Sequence, residues 1–322
     1  PRPMTTTTNE LLPANHSTKG PFWLAIALVA VTTVTIIWGA MTTSTGSGMA
    51  FVDWPLSDGQ LMPERSYTQM PAFLEHFHRV FGAVAGLLAL ALAVWLWRGQ
   101  LGDLAARKTA WFGGCLILTQ GLFGGIGVRL ELPVFTSVVH GTLAQLTLST
   151  FAWIAYQLSN RYRITGPAPG VAPGSGRKLV LFALGIVVVQ TIVGAIARHS
   201  NSPHALWTHV GNAFVVFLCM TIATAFTIGR MAETPGIRGL ARAIVLLLIL
   251  QIALGFVALA IRNNAGKSPE NVADLGTASL ISGHVIFGAL LTALMAWLAA
   301  HAFRDRPPSL MTSHFGSRSI QR

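Results

Sequence analysis

The chain has 322 residues, of which 52% are apolar and only 10% are charged, and its mean hydropathy is positive. This balance excludes an ordinary water-soluble domain and favours an integral membrane protein. The net charge of +11 would also suit a nucleic-acid-binding protein, but the basic residues are scattered over short segments, so we expect no nucleic-acid partner.

Eight apolar segments long enough to cross the hydrocarbon core of a bilayer follow one another along the chain. They cover residues 22–43, 72–97, 110–128, 134–158, 178–197, 204–229, 239–261 and 277–302. Because hydrocarbon offers the backbone no hydrogen-bond partner, each segment should be a helix. The predicted fold class is an all-α polytopic membrane protein, with eight transmembrane helices arranged as two pseudo-symmetric four-helix bundles.

The domain boundaries follow from a Pro/Gly/Ser-rich stretch in the middle of the chain, GPAPGVAPGSGRK. We predict an N-terminal tail, an N-terminal bundle, a linker, a C-terminal bundle and a C-terminal tail, at residues 1–21, 22–165, 166–177, 178–303 and 304–322. Sixteen of the 22 lysines and arginines fall in the tails and loops on the side of the two termini. This bias predicts that both termini are cytoplasmic and lie close to anionic lipid.

A repeated pattern connects the odd-numbered segments to the even-numbered ones. The third, fifth and seventh segments each contain Gln-x-x-x-Gly followed by an arginine, which is Arg129, Arg198 or Arg262. Each even-numbered segment carries a histidine about two turns from its start, and these histidines are His78, His140, His209 and His284. At 1.5 Å per residue they should share one depth, roughly 10 Å inside the helices.

Four ionisable side chains at one depth inside a membrane favour a metal site. The neighbouring sequence offers no Cys, Asp or Glu to complete a zinc site, whereas two imidazoles from facing helices suit haem iron. We therefore predict His78, His140, His209 and His284 as iron ligands for two haems, one in each bundle. The alternative is that each histidine only forms a hydrogen bond with a neighbouring helix.

The three repeated arginines are candidates for binding the propionates of a haem. A guanidinium group has a planar fork that matches a carboxylate. We predict propionate contacts for Arg129, Arg198 and Arg262. For any one of them, extension of the side chain to the membrane interface is an equally good interpretation.

The stretch EHFHR, residues 75–79, adds a carboxylate to the first histidine position. Glu75 and His78 are three residues apart and share a helix face. Glu75 could form an ion pair with Arg79 or cap the start of the helix. It could also act as a proton acceptor or charge stabiliser beside a haem that is itself the substrate. His76 lies on another face and is predicted to be interfacial.

Three features of the sequence together resemble the haem A synthase family, also called CtaA/Cox15. They are the ExxHR of residues 75–79, the stretch TGSGMAFVDWPLSDGQLMP at 45–63, and the histidines of the even-numbered segments. The resemblance extends over residues 22–303. It implies a membrane oxidoreductase that converts a ring methyl of haem O into the formyl group of haem A, for use by cytochrome oxidase. It also implies a location in the bacterial inner membrane.

The same resemblance implies roles for individual residues. His209 and His284 would bind a haem b cofactor, His78 and His140 would bind the haem O substrate, and Glu75 would take part in the chemistry. Haem O synthase, cytochrome oxidase assembly factors and further copies of the chain are the implied partners. The sequence departs from many family members in having no cysteine pair in an outer loop, and from some in having Thr43 where they have an arginine.

Two other functions are compatible with the histidines. A dihaem b-type electron carrier would need its haems near opposite faces of the membrane, whereas all four histidines are predicted near one face. A non-catalytic haem-binding assembly factor differs from an enzyme only in lacking a role for Glu75 and the first histidine pair.

Overall fold

The computed structural model describes residues 18–159, 176–200, 202–230, 236–265 and 274–302. These residues form eight long helices, which we label α1 to α8, and a one-turn helix at Arg65–Thr68. The long helices are Lys19–Ser44, Met70–Arg98, Leu104–Arg129, Val134–Leu158, Arg177–His199, Pro203–Arg230, Ile237–Ala265 and Leu275–Ala302. Within the described residues, β structure is limited to an isolated bridge between Ser57 and Gln60.

All eight long helices are long and apolar enough to cross a membrane, which confirms the predicted all-α membrane fold and its eight spans. Most of the predicted tails and of the predicted linker lies outside the described residues, namely 1–17, 160–175 and 303–322.

Several helices extend beyond the apolar segments that predict them. Helix α3 begins at Leu104 instead of residue 110, and the Asp103 carboxylate caps it by accepting a hydrogen bond of 2.7 Å from the Ala106 N–H. Arg107 and Lys108 therefore lie within the helix. Hydropathy identifies only the part of a helix that lies in hydrocarbon, whereas the helix itself extends as far as its backbone hydrogen bonds continue. The apolar segments therefore leave out charged first turns such as that of α3.

Helices that follow one another pack as antiparallel neighbours: α1 with α2, α3 with α4, α5 with α6, and α7 with α8. Helices α4 and α8 also pack against each other and join the two halves of the chain. Hereafter the loop end is the end of the molecule that carries the 45–69 loop between α1 and α2. The opposite end is the one at which α1 begins and α8 ends.

The packed core lies towards the opposite end and along the boundary between the halves. One apolar cluster there includes Leu28, Leu96 and Phe151, and a second includes Ile244 and Met295. A third lies where α1, α4 and α8 meet and is formed by Ile36, Leu148, Ala152, Ala289 and Ala293. This distribution leaves open space between the helices at the loop end.

Candidate functional site

A large cavity extends from the loop end inwards between the described helices. Its volume is about 2630 Å³, and all eight long helices contribute to its lining. A typical site for one small organic ligand measures roughly 300–1,000 Å³. The cavity is therefore large enough for more than one bulky ligand.

The four predicted histidines line this cavity and form two pairs. The ring centroids of His78 on α2 and His140 on α4 are 6.1 Å apart, with an angle of 80° between the ring planes. The ring centroids of His209 on α6 and His284 on α8 are also 6.1 Å apart, with an angle of 88°. From the residue numbers, each histidine lies about 9 to 14 Å along its helix from the loop end.

Hydrogen bonds to backbone carbonyls fix the orientation of three of these rings. The Nδ1 atom of His78 is 2.9 Å from the carbonyl oxygen of Thr35, and that of His140 is 3.0 Å from the carbonyl oxygen of Gln120. The third bond, of 3.1 Å, joins Nδ1 of His284 to the carbonyl oxygen of Gln251. Because a carbonyl only accepts, each Nδ1 carries the proton and each Nε2 keeps the lone pair that binds a metal.

His209 differs from the other three histidines. Its Nδ1 is buried and forms no hydrogen bond of standard length and angle with any residue that the structure describes. The side chain of Gln190, from the corresponding position of α5, instead donates through Nε2 to the backbone carbonyl of His209 over 2.9 Å. Asn212 in turn donates to the Gln190 Oε1 over 2.8 Å.

The geometry of both pairs suits an iron ion bound by two imidazoles. Bonds of about 2 Å from a metal to each Nε2 would place the two ring centroids about 6 Å apart, close to the observed separation. Across the parts of the chain that the structure describes, no group of three or more His, Cys, Asp or Glu side chains could hold a metal. A metal bound by either pair would take its remaining ligands from a prosthetic group, and a porphyrin supplies them.

The 45–69 loop folds against the start of α2, and Arg79 holds it there. The Arg79 guanidinium donates to the backbone carbonyls of Asp53, Leu56 and Phe51 at 2.7, 2.6 and 3.1 Å. The same guanidinium forms an ion pair with Glu75. Arg79 therefore connects the loop to the buried carboxylate.

Glu75 is 3% exposed and lines the cavity. Besides its ion pair with Arg79, it accepts a hydrogen bond of 3.1 Å from the backbone N–H of Phe51 through Oε2. Helix α2 begins without a side-chain cap, so Glu75 does not act as the helix cap that the sequence allowed. The carboxylate thus borders both the cavity and the loop.

His76, predicted to be interfacial, is buried beneath the same loop. Its Nδ1 is 3.0 Å from the Ser57 hydroxyl, and its Nε2 is 3.2 Å from the Met62 sulfur. Sequence reasoning missed this contact because only the folded loop brings Ser57 and Met62 to α2.

Asp53 stabilises the turn at the tip of the loop. Burial by itself would raise the pKa of its carboxyl, but the hydrogen bonds from the backbone N–H groups of Gly59 and Asp58, of 2.8 and 2.9 Å, and the positive charge of Arg79 together lower that pKa below its usual range. The next residue, Trp54, lines the cavity and packs its ring on Gly125 of α3, where a methyl group would lie 2.5 Å from Trp54 Cδ2.

The three predicted arginines have different surroundings. Arg198 lines the cavity and donates to the Ala40 carbonyl at 3.1 Å and the Ser44 hydroxyl at 2.9 Å, both on α1. Arg262 also lines the cavity and donates to the Ala197 carbonyl at 2.7 Å. Arg129 is exposed, is absent from the cavity lining and donates to the Trp54 carbonyl at 3.2 Å.

Sequence reasoning also missed Gly39 and His199. The Gln-x-x-x-Gly pattern identified three helices, but α1 has Thr35-x-x-x-Gly39 at the equivalent position, and the threonine concealed the match. The ring of His78 packs on Gly39. His199, at the end of α5, lines the cavity although it lies outside the predicted repeat.

Comparisons with known proteins agree with this arrangement. The heme A synthase of Symbiobacterium thermophilum is 27% identical over 187 residues, which is 56% of this chain and 60% of that protein. The heme A synthase of Geobacillus kaustophilus is 28% identical over 185 residues, or 56% of each chain. The match to the Staphylococcus epidermidis heme A synthase is longer, at 24% identity over 260 residues, 72% of this chain and 83% of that protein.

The chain thus spans little more than half the length of the first two of these curated relatives. A family-level match covers residues 22–209, from α1 through the first histidine pair to His209. This match includes more than half of the chain, so the chain belongs to the COX15-CtaA family of cytochrome oxidase assembly proteins.

Proposed function

We propose that this protein is a membrane oxidoreductase that converts the ring methyl of haem O into the formyl group of haem A for cytochrome oxidase. The observation that carries the proposal is the presence of two histidine pairs and a buried carboxylate, Glu75, in one cavity. The relatives named heme A synthase support a role in making haem A.

His209 and His284 would hold a haem b cofactor in the C-terminal bundle, residues 178–303. Both would bind its iron through Nε2, and Gln251 Nε2 lies 3.4 Å from the His284 Nε2, consistent with a lone pair on that atom. When bound, haem b would supply the one-electron and oxygen chemistry that amino-acid side chains lack. Arg198 and Arg262 also line the cavity and would pair with the propionates of this haem.

Arg129 fits the propionate proposal less well. Its guanidinium is exposed and is bonded to the Trp54 carbonyl, so it would reach a propionate in the cavity only by giving up that contact. The proposal for propionate binding therefore depends on Arg198 and Arg262.

His78 and His140 would bind the substrate haem O in the N-terminal bundle, residues 22–165. Glu75 lies three residues before His78 on the same helix and would act at the edge of the substrate. Its carboxylate would accept a proton or stabilise positive charge that develops during oxidation of the methyl group. Arg79 and the Phe51 N–H hold the carboxylate in one orientation for either role.

The matching histidine pairs support a pseudo-symmetric relation between the two bundles. The charge bias of the loops supports cytoplasmic termini, with the loop end and both histidine pairs near the outer face of a bacterial inner membrane. Haem O synthase, cytochrome oxidase assembly factors and a second copy of the chain remain the proposed partners.

The common position of the two pairs distinguishes this proposal from a transmembrane electron carrier. Both pairs lie within the first turns of helices that start at the loop end, whereas a carrier across the bilayer requires one haem near each face.

The proposal is tested by expressing the full chain in a host that makes haem O but no haem A, and analysing the haems extracted from its membranes. Wild-type protein should produce haem A, and Glu75→Gln should lower the rate of haem A formation by about 10²-fold or more. Glu64→Gln is the matched control, because Glu64 is exposed on the 45–69 loop.

Haem b and haem O without haem A from the wild-type protein would contradict the enzymatic proposal. Unchanged haem A formation by Glu75→Gln would remove Glu75 from the chemistry.

A further inference from the structure

Each paired histidine ring packs directly on a glycine of the preceding helix. A methyl group added at the glycine would lie between 2.6 and 3.1 Å from the histidine Cε1. The glycine and histidine partners are Gly39 with His78, Gly124 with His140, Gly194 with His209, and Gly255 with His284. Real Cβ contacts are essentially never shorter than 3.0 Å, so a larger residue at Gly39, Gly124 or Gly194 would displace the ring. At Gly255, where the distance is 3.1 Å, the ring of His284 would have to shift by a few tenths of an ångström.

The glycines also explain how the histidines reach backbone carbonyls that already accept a hydrogen bond within their own helix. The carbonyls bonded to Nδ1 belong to Thr35, Gln120 and Gln251, and in each case the glycine follows four residues later. In an α-helix the carbonyl of residue i points towards residue i+4. A side chain at i+4 would cover that carbonyl, whereas glycine leaves it open to a second donor.

His209 shows which of the two features is common to all four sites. Its ring packs on Gly194 as closely as the other rings pack on their glycines, with 2.7 Å to Cε1, yet its Nδ1 forms no hydrogen bond of standard length and angle with a described residue. The contact with glycine is therefore present four times, and the carbonyl bond three times.

From these contacts we propose that Gly39, Gly124, Gly194 and Gly255 are positioning residues for the histidine pairs. The glycines set the plane of each ring, and at three sites they also set its tautomer, so that Nε2 is presented to the cavity. The inference rests on the proposed function only in taking the histidines as iron ligands. The positioning role explains why glycine recurs in the Gln-x-x-x-Gly pattern, which the assignment of the histidines as ligands does not explain.

Alanine substitution separates this role from general stability. Within a helix, alanine is favoured over glycine by about 1 kcal/mol, so the exchange should not weaken the helix itself. Loss of the group that orients a metal-binding histidine typically lowers metal affinity by about 10- to 100-fold. We expect that loss of haem affinity at the pair whose glycine is changed.

The chain offers matched controls on the same helices. Gly185 lies on α5 with Gly194, and Gly239 lies on α7 with Gly255, and a methyl group at either control position would have no atom of a described residue within 4 Å. Gly194→Ala and Gly255→Ala should each weaken haem binding by about 10- to 100-fold in titrations of the purified full chain, and should shift the low-spin visible spectrum. Gly185→Ala and Gly239→Ala should behave as wild type.

A second measurement needs no iron. Nitrogen NMR of ¹⁵N-histidine-labelled, haem-free protein reports which ring nitrogen carries the proton. Gly255→Ala should reduce the share of His284 protonated at Nδ1, while Gly239→Ala should not.

Haem affinity, spectrum and tautomer equal to those of the controls would overturn the inference, even if His284→Ala abolished haem binding and so upheld the proposed function. Conversely, a change of tautomer in a chain that binds no haem would support the positioning role and contradict the proposed function.

Discussion

At the scale of single residues, the four titratable side chains of EHFHR divide between two roles. His78 turns its ring into the cavity, whereas Glu75, His76 and Arg79 make the contacts that hold the 45–69 loop. The ion pair of Glu75 with Arg79 is largely buried, so it depends on both partners far more than a surface pair would. Titratable side chains at this helix start therefore organise the loop as well as the cavity.

Replacing Arg79 by Gln should release the loop. The change removes the donor to three loop carbonyls and leaves the Glu75 carboxylate buried without its cation, which should lower the free energy of unfolding by about 3 kcal/mol or more. Limited proteolysis should cut residues 45–69 faster in this variant. Arg98→Gln, at the exposed opposite end of the same helix, is the control, and equal cleavage rates in the two variants would show that Arg79 does not hold the loop.

At the scale of helices, the two members of each antiparallel pair contribute different residues to the candidate sites. The even-numbered helices carry the histidines, and the odd-numbered helices carry the glycines on which the histidine rings pack. Each iron site would need two such helix pairs, because one histidine comes from each. The helix hairpin is thus the repeated unit, and two hairpins form one candidate site.

This arrangement predicts that the two sites can be emptied separately. His209→Ala or His284→Ala should abolish the haem b spectrum, because either change leaves a single imidazole, while haem bound by His78 and His140 is retained. His204→Ala is the control, since His204 is exposed on the same helix as His209 and does not line the cavity. Absorption spectra of the purified variants make the comparison, and survival of the haem b spectrum in both ligand variants would show that this cofactor site is wrongly assigned.

At the scale of the whole molecule, polar contacts at the loop end join the two halves above their apolar boundary. Arg198 on α5 donates to the Ala40 carbonyl and the Ser44 hydroxyl on α1, and the Ser44 hydroxyl is 3.0 Å from that of Ser282 on α8. The first repeat lacks an arginine of its own, since Thr43 lies near this position. A cation from the C-terminal half therefore occupies the end of α1.

Arg198→Gln should consequently affect both candidate sites. Loss of its charged hydrogen bonds should lower the free energy of unfolding by about 1.5–3 kcal/mol and weaken haem binding at both histidine pairs. Arg262→Gln is the comparison, because Arg262 contacts the Ala197 carbonyl within its own half and should affect only the His209 and His284 pair. Thermal unfolding and separate haem titrations measure these effects, and a loss confined to one pair in Arg198→Gln would contradict the bridging role.

The sequence alone predicts the eight spans and the all-α class, because burial in hydrocarbon imposes length and apolarity on every helix. It also predicts which histidines meet, His78 with His140 and His209 with His284, because four helices carry a histidine at matching distances from one end. These features are local to a single helix or repeat regularly along the chain, so periodicity and composition reveal them.

Only the tertiary structure decided which groups those helices bring into contact. Arg129 and Arg198 occupy the same place in the repeat, yet one binds a loop carbonyl and the other crosses to α1, 154 residues away at Ser44. The loop above Glu75 and the glycine beneath His78 were likewise decided by packing. Such contacts depend on the distance and angle between helices far apart in the chain, and the pattern within one helix carries no information about either.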